Sequence, residues 1–340
     1  MLRYIVRRLL IIPFMLVGIS LIAFILSHSV PADPVTAALG EGALGHPELI
    51  EAYRERWGLN KSLPEQYIIY VANLAQGDFG KSITSNRSVA SDLGDTLPAT
   101  FELATYAILI SLLGVPLGIW AAFRYKRLPD SLVRVFSLLG SSVPVFWLAY
   151  IAIFLFYTQL SWLPATDRLD TGQIAPNHVT GFYTLDSVIA GKWDLLGSSL
   201  KHLLLPALVL SLTTMGAIIR ISRSITLDVL SQEYIRTAAS KGLAGHTVLR
   251  RHALPNILVP VITVISLSYG NLLSGTVLIE TIFAWPGLGR YAFQSAIRLD
   301  FPAIMGVSIV VALIYIFVNL VVDLLYSLLD PRIRLKANVV

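Results

Sequence analysis

The chain has 340 residues, of which 55% are hydrophobic and only 14% charged, with a mean hydropathy of +0.69. A soluble domain carries roughly a quarter of its residues charged, so the composition excludes a disordered chain and argues against an ordinary soluble enzyme. The formal charge of +5 is spread between long apolar runs rather than on one face, which points away from nucleic acid, and with no cysteine there are neither disulfides nor thiolate metal sites.

Six apolar runs are long enough to cross a hydrocarbon core of about 30 Å, which takes about 17–25 helical residues. They cover approximately 9–29, 101–123, 135–158, 203–219, 255–279 and 304–328. None holds a lysine or arginine, and Glu102 and Asp323 are their only acids, both near a run's end. The first run lacks the small-residue cleavage pattern of a signal peptide and is read as a span. The fourth is the shortest, and Pro206 near its start blurs its boundary. The expected fold is an all-α integral membrane protein of six helices, a single domain over 1–340.

Orientation follows from the charges. With the amino terminus inside, the inner segments hold 16 basic and 4 acidic residues, and the outer segments 10 basic and 15 acidic. The bias is carried by short loops, so both termini are expected in the cytoplasm. The outer segments are then 30–100 and 159–202, and the long inner loop is 220–254. In the first outer segment Tyr67, Ile68, Val71 and Leu74 recur at helical spacing, the mark of a short amphipathic helix. Trp162 and Trp193 in the second suit either an interfacial belt or loop packing.

Several catalytic motifs fail on inspection. Asp78-Phe79-Gly80 has no catalytic loop to accompany it. Gly80-Lys81-Ser82 ends like a phosphate loop, but Ala75 stands where its first glycine belongs and no strand precedes it. The six histidines have no close metal-ligand spacing. Any transport would therefore take its energy from a gradient or from another subunit. A gradient-driven carrier should show a buried acid or base at a span centre or a broken-helix repeat, and neither is visible.

The inner loop is the most informative stretch. From Gln232 to Leu254 it reads as a first helix over Glu233–Lys241, a closing Gly242 in the left-handed conformation, and a second short helix over about 244–252 leading to Pro255. Tyr234, Ala238 and Lys241 then share a face that a partner could approach closely. The plainer reading is a solvated basic loop beside anionic lipid.

The stretch resembles the coupling motif of ABC-importer permeases, in which Glu-Ala-Ala, three residues, Gly, nine residues and Ile-x-Leu-Pro dock on the ATPase. Ala238, Gly242, Leu254 and Pro255 match. Arg236, Thr237 and His252 depart from it, in the manner of the Glu-Tyr-x-Arg-Thr-Ala variant of peptide and nickel permeases. The opening residues 1–9, Gln76 to Ser82, Leu97 to Leu103, Pro286 to Arg290 and Asp330 to Arg334 are also similar to the first-type permease of the dipeptide/oligopeptide/nickel family.

That resemblance implies a permease in the bacterial inner membrane, not an enzyme, paired with a second, homologous permease. It implies two cytoplasmic ATPases that bind ATP and Mg, an extracytoplasmic solute-binding protein, and no cofactor in this chain. The coupling residues would be Glu233, Tyr234, Arg236, Thr237, Ala238, Lys241, Gly242, Leu254 and Pro255. Peptides are the expected cargo; nickel chelates, glutathione and sugar conjugates are carried by permeases of the same kind. Candidate path residues are polar or helix-interrupting groups inside spans: Ser141, Ser142, Pro144 and Trp147 in the third, Asn271, Ser274 and Gly275 in the fifth. Small-residue packing between helices competes for each of them. Asn319 and Asp323, one turn apart on the sixth run, read as a structural pair.

Overall fold

The computed structural model describes residues 2–29, 46–57 and 60–329. The described residues are mostly helical, with one isolated strand-like pairing, Lys81 with Ser88. In chain order the helices are α1 (Leu2–Ser29), α2 (Pro47–Trp57), α3 (Leu63–Ala75), α4 (Val89–Ser111), α5 (Gly114–Phe123), α6 (Leu128–Ser142), α7 (Val145–Ala152, continued by a π-helical turn to Gln159) and α8 (Tyr183–Ile189). They continue as α9 (Trp193–Leu230), α10 (Glu233–Ser240), α11 (Leu254–Gly275), α12 (Val277–Ile282), α13 (Leu288–Ile297) and α14 (Phe301–Leu329).

Among the described residues, four stretches are long and apolar enough to cross a membrane: Val89–Phe123, Trp193–Leu230, Gly245–Leu273 and Phe301–Val321. Helices α6 and α7 make a fifth only as a pair bent by 102°. Within α1 the apolar stretch is Leu10–Ile25.

Two expected spans need correction. The run 135–158 is not one straight helix. Val143 is extended (φ −83°, ψ 131°), as the residue before a proline prefers, and Pro144 starts a new direction. The fourth run is not a short helix at 203–219 but the middle of the 38-residue α9. Arg220 marks the run's apparent end in the sequence, but a charge ends an apolar run and not a helix, and α9 runs on to Leu230. Pro206 removes one backbone donor and is buried inside α9 without ending it.

The chain divides into two units. Residues 1–99 and 286–317 form the first. There α3 lies on α1, but its buried positions are Gln66 and Tyr70, while Ile68 is 66% exposed. The expected apolar face is thus rotated, because Tyr70 stacks on Phe24 and the Tyr67 hydroxyl donates to the Val17 carbonyl at 3.0 Å. The phosphate-loop look-alike is structural. Ser82 Oγ donates to Asp300 at 2.6 Å, Thr84 N–H donates to the same carboxylate at 2.9 Å, and Asp78 accepts from the Gly80 amide at 2.9 Å. Phe79 packs with Val89, Leu93, Leu288, Ala303 and Val307.

Residues 100–285 and 318–340 form the second unit, centred on α9. Helices α5, α6, α7 and α11 all pack on α9. The approach is close because glycines stand at the crossings. A Cβ on Gly118 would lie 2.6 Å from the Ile219 carbonyl oxygen, and one on Gly216 would lie 2.6 Å from that of Ser137. Such backbone-to-backbone proximity is how helices associate where apolar solvent supplies no hydrophobic drive.

Candidate functional site

Helix α10 begins after Gln232, with Glu233 in its first turn, where the positive end of the helix favours an acid. Arg236 Nη1 donates to Glu233 at 2.9 Å, and Thr237 Oγ1 donates to the Glu233 carbonyl at 2.9 Å. After Lys241 the chain turns at Gly242, which has φ +79° and donates its N–H to the Ala239 carbonyl at 3.0 Å. No atom lies within 4 Å of where a Cβ would stand on Gly242, so glycine is needed there for its left-handed backbone and not for space. A short turn at Gly245–Thr247 and a π-helical stretch at Val248–Ala253 lead into α11. Pro255, in the first turn of α11, leaves the Arg251 carbonyl without an ordinary helical donor.

The faces of α10 are well separated. Ile235 and Ala238 are buried with Val248, Ala253, Ile257 and Val261, and Ile225, Val229 and Leu249 pack around them. Glu233, Tyr234, Arg236, Thr237 and Lys241 are exposed. The expected shared face of Tyr234, Ala238 and Lys241 is therefore corrected at Ala238. The buried stripe is Ile235 and Ala238, three residues apart, and the exposed pair flanks it. Leu254 is half-buried and Pro255 exposed.

The structure brings Ser141, Ser142, Pro144 and Trp147 together at the break between α6 and α7, where Trp147 is 52% exposed. Asn271 is exposed on α11, a separate helix that also packs on α9. The side chains of Ser274, Gly275 and Asp323 lie outside the described residues, so the Asn319–Asp323 pairing lies outside them too.

Several polar groups carry roles that the sequence reading did not assign. Arg223 grips the buried Asp130 with two bonds, Nε to Oδ1 at 2.5 Å and Nη2 to Oδ2 at 2.9 Å. Arg168 bonds to Glu102, donates to the Gly181 carbonyl at 2.9 Å and lies 3.5 Å above the Tyr183 ring. Glu102 also accepts from the Thr184 amide at 2.9 Å and its hydroxyl at 2.6 Å. His202 faces the Thr166 carbonyl at 2.7 Å and Asp170 at 3.2 Å. Hydrogen bonding by Ser198 and His202 holds the Asp170 carboxyl below the usual carboxylate range. Burial pushes Asp186 up, but donors from Thr180, Gly181 and Val179 outweigh it and leave this carboxyl low as well. Of these groups Glu102 is visible in the sequence, as an acid near the end of an apolar run.

Residues 114–335 match the family described as binding-protein-dependent transport system inner membrane component, and residues 1–104 match the N-terminal part described for such membrane components. Among curated proteins, the chain is 46% identical to the probable D,D-dipeptide transport system permease DdpB of Escherichia coli K12, over 93% of each chain. It is 41% identical to the dipeptide transport system permease DppB of Alkalihalophilus pseudofirmus, over 98% of this chain and 100% of the relative. It is also 41% identical to the di/tripeptide transport system permease DppB of Pseudomonas aeruginosa, over 98% and 99% respectively.

Proposed function

The chain belongs to the binding-protein-dependent transport system inner membrane component family, and from that premise we propose that it forms half of an import path for di- or tripeptides. It is a multi-pass permease of the bacterial inner membrane and not an enzyme. Membership implies an ATPase and a solute-binding protein as partners. The finer reading is a heterodimer with a second, homologous permease, served by two cytoplasmic ATPases that bind ATP and Mg. Peptide cargo is proposed from the relatives, which are named for dipeptide and di/tripeptide transport.

In this reading six helices span the membrane and both termini are cytoplasmic, supported by the 16 basic against 4 acidic residues of the inner segments. The observation that carries the coupling assignment is α10 itself. It is held on its inner face by Ile235 and Ala238, and it presents Glu233, Tyr234, Arg236, Thr237 and Lys241 outward before the left-handed Gly242. A short helix anchored on one side and bare on the other transmits a push from a docked ATPase into α9 and α11.

Gly242→Val tests this. A β-branched residue at φ +79° costs roughly 1 kcal/mol or more and turns α10 away from its seat. The expected complex contains both permeases at normal membrane abundance but has lost ATPase and peptide uptake. Full uptake with stoichiometric ATPase would show that the segment is only a solvated linker.

A further inference from the structure

Two arginines stand three residues apart on α9, and their surroundings differ. Arg223 lays its Nε–Nη2 edge on the two oxygens of Asp130. Arg220 donates through Nη1 alone, to the Ser137 carbonyl at 2.9 Å and to Ser141 Oγ at 2.8 Å. Among the described residues no carboxylate pairs with Arg220, and its Nε and Nη2 donate to none of them. The edge that Arg223 uses to hold a carboxylate is thus presented by Arg220 without a protein partner. Both bonds to α6 fix the guanidinium.

The neighbourhood is the break in the third apolar run. Helix α6 ends at Ser142, the chain turns by 102°, and Ser141, Ser142 and Pro144 are exposed there. The negative end of α6 accounts for Nη1. It does not account for the remaining edge. The guanidinium is half-buried, so this edge is open to water or an anion. A fork of Nε and Nη2 matches a carboxylate in shape as well as charge.

We propose that Arg220 is a way-station for the C-terminal carboxylate of a peptide in transit, with Ser141 as its positioning residue. The inference rests on the peptide-import reading. A one-sided, partly hydrated grip is weak, and weakness suits a path whose cargo must leave again.

The test uses the whole transporter in proteoliposomes, with its solute-binding protein loaded with dialanine or with dialanine amide. Wild type is expected to carry the free acid faster than the amide. Arg220→Gln should slow the acid about tenfold, the loss of about 1.4 kcal/mol, and change the amide far less. Arg220→Lys, which keeps the charge without the fork, should fall between, and so should Ser141→Ala. ATPase stimulation by the loaded binding protein and copurification of every subunit report assembly in each variant. An Arg220→Gln complex that carries dialanine at the wild-type rate, or loses acid and amide by the same factor, would overturn the proposal and leave Arg220 as a cap on α6. Absence of ATP-dependent peptide uptake in the wild type would instead overturn the import reading itself.

Discussion

Glu102 and Arg168 are 66 positions apart and nearly fully buried, and each solves the other's problem. A carboxylate withdrawn from water needs donors, and Glu102 receives them from Arg168 and from Thr184 twice. Arg168 in turn sits between the rings of Tyr183 and Trp285. Removing the cation strands the anion. Arg168→Met should therefore destabilise this unit by about 3–5 kcal/mol, read as earlier thermal unfolding of the purified complex by intrinsic tryptophan fluorescence. The double variant Arg168→Met with Glu102→Gln should recover part of the loss; no recovery would show that the pair does not act as a pair. The sequence marks Glu102 as an acid at the end of an apolar run. It cannot mark Arg168, because the path of the 159–182 segment, not local pattern, decides which basic residue arrives.

At the scale of elements, hydropathy reveals which stretches are helical but not where they stop. The end of an apolar run is read from its first charge, here Arg220, but a charge does not end a helix, and α9 runs on to Leu230. The break at Pro144 is legible as a proline within a run; its angle of 102° is set by how α6 and α7 separately meet α9. The turn at Gly242 was legible because one residue type satisfies its backbone. The orientation of α10 was not, because two candidate faces lie only tens of degrees apart on the helix, and the surrounding Val248, Ala253 and Ile257 choose between them. Glycines at crossings make a sharper expectation. Gly118→Leu would force a side chain to within 2.6 Å of the Ile219 carbonyl and 2.8 Å of Ser222 Cβ. It should cost about 1–3 kcal/mol by overpacking and lower the yield of assembled permease in detergent. Gly197→Ala, where no atom lies within 4 Å, should leave yield unchanged.

For the whole molecule, the charge pattern makes a topological expectation that three reporters check. Fusions after Val340 and near Ala244 should report from the cytoplasm, and one near Arg87 from outside; an external signal at the 244 site would overturn six spans. A further consequence lies in the length of α9. Its 38 residues make a rod of about 57 Å, well beyond a bilayer core of about 30 Å. One end carries Ser198 and His202, the other runs through only Ser231 and Gln232 into α10. A stiff rod pivoting near its middle trades angle for distance: each degree of tilt sweeps either tip by about 0.5 Å. In the coupling reading, a displacement of α10 therefore reappears at the Ser198 and His202 end at about the same size and in the opposite sense.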